Sequence, residues 1–334
     1  MRSSIPWVFA LALLLPTTAS ADPIRLKFSF YTSDRSLIYQ TMFKPFVEAV
    51  NRDGEGLIQI DVYFSGTLNK VQADDPKLLA NGTADMAAIT VGRVPSLFPD
   101  TSVIELPGLY RDQREASLVF NHLVETGALQ GYGDYFVVGA LVAGPENIHS
   151  RTPIASLKDL NGLTVRTNNY IQGDALKQFG ARSVPLAINR TMDELSQGKI
   201  DAATFPPSVL FEFGVGRIVK YHYMLPLGNV PVALLMNRRK FEALPPAAQA
   251  IIRANSGKRL AENSAATFEK LDQANLERLK ADPRREVVFP SASDLETARR
   301  AFASVIEEWA AQSPHNRELL RLVKAETAKL RSQK

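Results

Sequence analysis

The chemically reactive side chains of this chain do not form the arrangements that common catalytic sites require. No serine lies in a G-x-S-x-G elbow, no H-E-x-x-H pair occurs, and no G-x-x-x-x-G-K-[ST] loop is present to hold a phosphate. The histidines are scattered, without a pair at metal-ligand spacing: His122, His149, His222 and His315. The sequence therefore favours a binding protein over an enzyme, with neither a metal nor a cofactor.

Apolar periodicity predicts the elements that would position a binding site. Residues 24–29 alternate as a strand, and a helix capped by Ser33 or Ser36 follows. Pro45 lies inside that helix and should kink it. A second alternating strand over residues 58–64 completes a strand, helix, strand unit, which is typical of an α/β fold.

One short pattern, L-x-x-G-x-x-D-x-A, occurs twice, over residues 79–87 and 195–203. In each copy a glycine, Gly82 or Gly198, can end a helix in the left-handed conformation before a strand of small residues. Joints of this kind are common, so a chance match stays open. A true repeat would mean that two lobes share one topology, as the chain length also suggests.

The strand ends give the candidate binding residues. In open α/β sheets, ligands bind beyond the carboxyl ends of the strands. Applied to both halves, this rule selects Tyr31, Thr32, Ser33 and Thr90 in the first half, and Arg166, Asn168, Phe205 and Pro206 in the second.

The C-terminal third predicts long helices. Apolar residues recur at helical spacing over residues 260–279 and again over residues 295–309. Such stripes are typical of helices that bury one face in a core.

Composition and the N-terminus indicate a secreted protein. Arg2, an apolar run over residues 5–15 and the small residues 19–21 form a secretory signal with cleavage near Ala21. That run is too short to span a bilayer, so no stable membrane insertion is expected. Cysteine is absent, which excludes disulfides and thiolate sites, and a net charge of +4 gives no indication of a nucleic-acid partner.

Residues 159–166 read D-L-N-G-L-T-V-R. They resemble the D-L-x-G-L-x-[IV]-R segment of the solute receptors of tripartite ATP-independent periplasmic (TRAP) transporters, of the DctP type. Similar stretches occur in order along nearly the whole mature chain: Gly82-x-x-Asp85, Ile104–Gly108, Gly144-Pro145, Phe179–Ala181, Lys220–His222 and Met236-Asn237.

This resemblance implies a two-lobed periplasmic binding protein fold, type II-like. Each lobe would be a mixed sheet flanked by helices, and long C-terminal helices would bridge the lobes. The expected domains are a signal peptide at 1–21, lobe I at 22–142, lobe II at 143–230, and a return to lobe I with the bridging helices at 231–334.

The resemblance also implies a function in the periplasm. The protein would capture a small organic acid between its lobes and deliver it to the small and large subunits of a membrane permease. The carboxylate-binding arginine of the family falls on Arg166, whose guanidinium can meet a carboxylate with two parallel hydrogen bonds. The receptor is expected to be a monomer.

Two departures from the family pattern shape the ligand prediction. A second arginine common in the family is missing before Arg166, where Glu146 and Asn147 stand instead. The usual E-N-P after the aspartate strand is replaced by Thr204-Phe205-Pro206, so Phe205 predicts an apolar wall. The expected ligand is a monocarboxylate with an apolar or aromatic body. Glu146 alternatively predicts recognition of an amine, and hence an amino acid.

Other functions remain open at this point. A periplasmic hydrolase or lyase of small acids would need an acid, a base or a metal beside Arg166. A binding protein that serves an ATP-driven importer or a sensor kinase would have the same kind of site.

Overall fold

The computed structural model describes residues 22–68 and 75–333. The predicted signal peptide, residues 1–21, lies outside the described residues. The strands, in chain order, are β1 Ile24–Ser29, β2 Ile58–Tyr63, β3 Met86–Thr90, β4 Tyr135–Ala143, β5 Asn147–Ser150, β6 Thr164–Thr167, β7 Arg182–Pro185, β8 Ala202–Phe205, β9 Tyr221–Tyr223, β10 Val230–Asn237 and β11 Glu286–Val288.

The α-helices surround the sheets and dominate the C-terminal third. They are α1 Lys44–Asp53, α2 Asp75–Ala80, α3 Ser102–Glu105, α4 Gln113–Glu125, α5 Tyr170–Lys177, α6 Ile188–Ser196, α7 Arg238–Glu242, α8 Pro246–Ala254, α9 Lys258–Ala281, α10 Ala292–Ala311 and α11 Pro314–Ser332.

The strands form two mixed sheets. One has the order β2-β1-β3-β10-β4, and the other has the order β11-β9-β5-β8-β6-β7. We call the part built on the first sheet lobe I and the part built on the second sheet lobe II. The predicted mixed α/β architecture is confirmed, and the predicted first strand matches β1, whose Leu26 and Phe28 are fully buried.

The two lobes share one topology. In lobe I, β1 is parallel to β2 and β3, and β10 is antiparallel to β3 and β4. In lobe II, β6 is parallel to β7 and β8, and β5 is antiparallel to β8 and β9. The strand order around β1 in lobe I is thus repeated around β6 in lobe II.

The repeated aspartate makes the same bond in both lobes. The carboxylate of Asp85 accepts a 2.8 Å hydrogen bond from the backbone N–H of Lys27 in β1. The carboxylate of Asp201 accepts a 2.8 Å bond from the backbone N–H of Thr164 in β6. These charge-assisted bonds tie β3 to β1 and β8 to β6 where each pair begins, which explains why the pattern requires aspartate.

The predicted first helix is present but has an irregular start. The predicted helix begins with a π-helical turn, Tyr39–Phe43, and continues as α1. Pro45 lies in the first turn of α1. Proline has no N–H to donate and is tolerated at such a position. Of the two predicted caps, Ser36 accepts a bond from the N–H of Tyr39 through its hydroxyl.

Long helices connect the lobes. Helix α9 packs against α4 and β4 of lobe I and against Pro207–Val209 of lobe II. Helix α10 packs on α5 of lobe II, while its Trp309 indole donates a 2.9 Å bond to the hydroxyl of Ser102 in lobe I. The domain limits drawn from the sequence remain a prediction, and β11 shows that the C-terminal part of the chain also adds a strand to lobe II.

Gly82→Ala should lower the free energy of unfolding by about 1–2 kcal/mol, because φ is +75° there and an alanine would be strained. No atom lies within 4 Å of the added Cβ, so the cost comes from the backbone alone. Urea unfolding measures the change. Gly133→Ala is the matched control, since Gly133 also has open space but no positive φ. An equal effect of the two substitutions would contradict this explanation.

Candidate ligand-binding site

The ends of six strands meet at one cavity between the lobes: β1, β3, β4 and β10 of lobe I, and β6 and β8 of lobe II. Of the predicted residues, Tyr31, Thr90, Glu146, Arg166, Asn168, Phe205 and Pro206 line it. The other lining residues are Ile38, Met42, Arg93, Ala143, Ile188, Val209, Val230 and Val232. The cavity measures only about 50 Å³, less than a typical ligand pocket. Arg93 of lobe I bonds directly to Asn168 and Leu186 of lobe II, so the lobes are closed over the cavity.

Three predicted residues lie elsewhere. Ser33 is exposed, and the backbone carbonyl of Thr32 accepts a bond from Ser65 beside β2. Asn147 lines a separate hollow with Gly144 and Pro145. Neither Thr32 nor Asn147 is among the residues that line the cavity, although their neighbours Tyr31 and Glu146 are.

The guanidinium of Arg166 is buried at the end of β6, with 1% of the residue exposed. Its Nε donates to the carbonyl of Leu186 at 2.9 Å, and Nη1 donates to the carbonyl of Thr204 at 2.9 Å. Nη2 approaches the side-chain oxygen of Asn168 at 3.4 Å. Among the described residues, these bonds leave one N–H on each terminal nitrogen for a ligand. Two such N–H groups are what a carboxylate needs.

A second arginine, Arg93 of lobe I, reaches the same cavity. Its Nη2 donates to the side-chain oxygen of Asn168 at 3.0 Å and to the carbonyl of Leu186 at 2.9 Å. The cavity therefore holds a second positive group, although the second arginine of the family pattern is missing before Arg166. Arg93 follows Thr90 at the end of β3 by three residues. Extending the strand-end rule by one turn would have found it.

The two arginines fix the orientation of Asn168. Arginine only donates, so the amide oxygen of Asn168 must face both guanidinium groups, and its N–H groups must point away from them. That amide nitrogen is buried and has no acceptor among the described residues. Its N–H groups add to the two unused N–H groups of Arg166 as donors for a ligand.

Glu146 balances part of this charge. Its carboxylate accepts bonds from Gln172 and from the hydroxyl of Thr204, the latter at 3.0 Å. Burial raises the pKa of this carboxyl, whereas the nearby Arg166 lowers it. Burial also lowers the pKa of Arg166, to about 10, which leaves the guanidinium charged at neutral pH.

Glu105 lies close to Arg93 but adds little negative charge. It is 1% exposed, and burial raises its pKa to about 8. This carboxyl is therefore mostly protonated at neutral pH. Of the described residues that line the cavity, Arg93, Arg166 and Glu146 carry the charged groups, so the two guanidinium groups outnumber the one carboxylate.

The rest of the cavity wall is apolar. Phe205 is fully buried, and its ring lies 4.8 Å from the guanidinium carbon of Arg166. Ile38 and Met42 of lobe I contribute to the same wall. Burial raises the pKa of Tyr31, so its phenol keeps its proton and can donate it to an anion. The cavity thus combines a group of hydrogen-bond donors with an apolar wall.

Two buried histidines support Phe205 from within lobe II. His149 Nε2 lies 3.1 Å from the carbonyl of Phe205, and His149 Nδ1 lies 2.8 Å from His222 Nδ1. The carbonyl can only accept, so Nε2 of His149 must hold its proton and Nδ1 of His222 must donate. This leaves Nε2 of His222 as an acceptor towards Arg285, which lies 3.5 Å away. Sequence reasoning described these histidines only as scattered, because they meet through β5–β9 pairing.

Other features of the described residues do not suggest a different site. A larger hollow of about 580 Å³ lies beside Gly131 and Tyr135 on lobe I, without the converging donors of the inter-lobe cavity. No group of three or more histidine, aspartate or glutamate side chains in residues 22–68 and 75–333 could hold a metal ion. In the same residues no helix is both long and apolar enough to cross a membrane.

Comparison with known proteins identifies the class of protein that this fold and site define. The model of bacterial extracellular solute-binding protein family 7, DctP, matches residues 28–313. The chain belongs to this family, which is a family of transport receptors rather than of enzymes. The TRAP resemblance of residues 159–166 is thereby confirmed.

Two curated relatives illustrate the match. A 2,3-diketo-L-gulonate-binding periplasmic protein of Escherichia coli K12 is 25% identical over 250 residues, which cover 74% of this chain and 76% of that protein. A solute-binding protein of Verminephrobacter eiseniae is 25% identical over 208 residues, 61% of this chain and 62% of the relative.

Solved structures share the fold over most of their length. A TRAP solute-binding protein of Rhodoferax ferrireducens T118, in complex with copurified benzoate, is 26% identical with a TM-score of 0.86, over 92% of this chain and 98% of that one. A marine metagenome TRAP protein in complex with 3-hydroxybenzoate has a TM-score of 0.87 at 22% identity, over 92% and 99% of the two chains, and it supports the fold alone.

Acid should destabilise the protein through its histidine pair. Burial lowers the pKa of both imidazoles, that of His149 to about 4 from an ordinary value of 6.5. Between these values the unfolded chain binds protons that the folded pair does not. The free energy of unfolding should therefore fall as the pH drops below 6.5, by up to about 1.4 kcal/mol per pH unit for each histidine. Urea unfolding across this pH range measures the slope.

His149→Gln should reduce this slope, because it removes one of the buried imidazoles. His122→Gln, at a partly exposed histidine, is the control and should leave it unchanged. Identical slopes in the two variants would assign the acid sensitivity to other groups.

Proposed function

We propose that the protein is the extracytoplasmic receptor of a TRAP transporter and that it captures an organic monocarboxylate with an apolar or aromatic body. The observation that supports this most strongly is the set of unused donors on Arg166 and Asn168, which converge with the guanidinium of Arg93 on one buried, apolar-walled cavity. An organic anion would supply the missing acceptors and the missing negative charge together.

The interactions available in the cavity are strong enough for micromolar binding of such an acid. Hydrogen bonds to charged groups contribute about 1.5–3 kcal/mol each, and micromolar binding requires about 8 kcal/mol in total. Two bonds from the Arg166 fork, bonds from Arg93 or Asn168, and burial of an apolar face together reach that range. No catalytic step is needed or proposed.

Related proteins support an aromatic ligand. The Rhodoferax protein holds benzoate, and a Bordetella bronchiseptica TRAP protein of the same fold holds mandelate. In this chain Phe205 and Met42 offer a flat apolar wall beside the donors. Glu146 is already bonded to Thr204 and Gln172 and lies near Arg166, so recognition of an amine is the weaker alternative.

The proposed transport cycle follows from this site. The secreted receptor, cleaved near Ala21, would act as a monomer in the periplasm. The open lobes would admit the acid, and closure would bury its carboxylate against Arg166. The closed form would then deliver the acid to the small and large permease subunits. A receptor for an ATP-driven importer or a sensor kinase would use the same site but a different membrane partner.

Arg166→Lys should weaken binding of benzoate by about ten- to a hundredfold, because an ammonium group offers no planar fork and cannot also satisfy the carbonyls of Leu186 and Thr204. Isothermal titration calorimetry of the refolded, ligand-stripped protein measures the change, against a panel of aliphatic, aromatic, keto and amino acids. Arg93→Lys should have a smaller effect of the same sign.

Arg25→Lys is the matched control, since Arg25 is an exposed arginine paired with Asp61 outside the cavity. Wild-type affinity in Arg166→Lys would show that the acid binds elsewhere. Conversion of any acid of the panel to a product would show that the protein is an enzyme.

Phe205→Leu should lower the affinity for benzoate about three- to tenfold, because aromatic pairs contribute about 0.5–1.5 kcal/mol beyond the area that they bury. The affinity for cyclohexanecarboxylate, which has the same charge and a similar size but no aromatic ring, should change much less. Calorimetry with both acids measures the ratio. An equal loss of affinity for both acids would mean that Phe205 contributes only apolar contact and no interaction specific to an aromatic ring.

A further inference from the structure

One hydrogen bond crosses between the lobes outside the ligand cavity. The backbone N–H of Leu37 in lobe I donates to the carboxylate of Glu212 in lobe II at 3.0 Å. Leu37 begins the helical segment that follows β1. Glu212 lies in the loop between β8 and β9. The partners are 175 residues apart in the chain, so only the approach of the lobes can bring them together.

The start of this helix is incomplete within its own lobe. The first N–H groups of a helix have no partner inside the helix. The hydroxyl of Ser36 accepts from the N–H of Tyr39, which serves one of them. Glu212 serves another, since its carboxylate accepts from the N–H of Leu37, and it lies close enough to Ser36 and Ile38 for these groups to lower its pKa. Lobe II therefore completes the cap of a lobe I helix.

The charge of Glu212 suits this position. The N-terminal end of a helix carries a partial positive charge, which a carboxylate stabilises. Burial raises the pKa of Glu212, and its bonds to Ser36, Leu37 and Ile38 oppose that rise. A glutamine of the same size would keep an acceptor oxygen but would lose the charge.

This contact is close to the ligand cavity without being part of it. The helix that begins at Leu37 contributes Ile38 and Met42 to the cavity wall, and the segment before Glu212 contributes Phe205 and Val209. Neither Leu37 nor Glu212 lines the cavity. Closure of the two walls and formation of the Glu212 bonds are thus coupled, although Glu212 does not contact the ligand.

We propose that Glu212 is a closure residue: its carboxylate captures the N–H of Leu37 at the start of the helix when the lobes close, and it holds the ligand by slowing reopening. This inference rests on the proposed function of the inter-lobe cavity. It assigns to Glu212 an effect on the rate of ligand release rather than on ligand recognition.

Glu212→Gln should increase the dissociation rate of benzoate about tenfold, because a charge-assisted bond is replaced by a neutral one. The association rate should stay within about twofold, since the ligand enters the open form, in which the Glu212 bonds are absent. Stopped-flow fluorescence measures both rates. Glu286→Gln, at an exposed glutamate of lobe II, is the matched control and should change neither rate.

The closed population gives a second measurement. The chain has no cysteine, so Glu55→Cys on lobe I and Lys158→Cys on lobe II, both exposed, can carry a pair of spin labels. With saturating benzoate, the original protein should show one short distance, and Glu212→Gln should show a mixture of short and long distances.

The outcomes separate the two proposals. If no concentration of benzoate closed the wild-type protein, the proposed function would be contradicted. The proposed role of Glu212 would then be contradicted as well. Full closure of both proteins with equal dissociation rates would overturn the role of Glu212 alone. A faster dissociation rate with unchanged association would support it.

Discussion

The burial of a guanidinium group is the constraint on which this structure depends. Arg166 is almost fully buried, and a buried charge is costly unless it is paired. Glu146 supplies one negative charge, but Arg93 brings a second positive charge to the same cavity. Closure of the lobes therefore concentrates positive charge and unused N–H donors around a small space. An organic anion offsets that cost, so ligand binding and lobe closure stabilise one another.

The repeated topology of the two lobes brings the arginines and the other donors of the cavity together. One bond between an aspartate and a backbone N–H, made by Asp85 in lobe I and by Asp201 in lobe II, sets the same strand arrangement twice. The strand ends of both lobes then face each other across the cleft. Each lobe contributes an arginine, Arg93 from one and Arg166 from the other, and both bond to Asn168. Equivalent strands, β1 and β6 as well as β3 and β8, thus end at the cavity, but the two arginines occupy different places: Arg166 lies in β6, and Arg93 lies beyond the end of β3.

Local patterns predicted much of this, and contacts between the lobes account for what was missed. Alternation along β1 and the glycine of the repeat depend on neighbouring residues, so the sequence reveals them directly. The aspartate of the repeat was visible as part of a recurring pattern, although its partners, Lys27 and Thr164, lie in distant strands. Arg93 and Glu212 gain their roles from partners in the other lobe, and no spacing in the chain records such a partner. The same holds for His149, which meets His222 only through strand pairing. Thr32 was misplaced because the strand-end rule does not specify which face a residue occupies.

A crystal structure of the protein with benzoate would show where the acid binds. We expect a closed protein in which both carboxylate oxygens lie within hydrogen-bond distance of the terminal nitrogens of Arg166, with the ring against Phe205. Benzoate bound outside the inter-lobe cavity, or bound there with its carboxylate away from both Arg166 and Arg93, would contradict it.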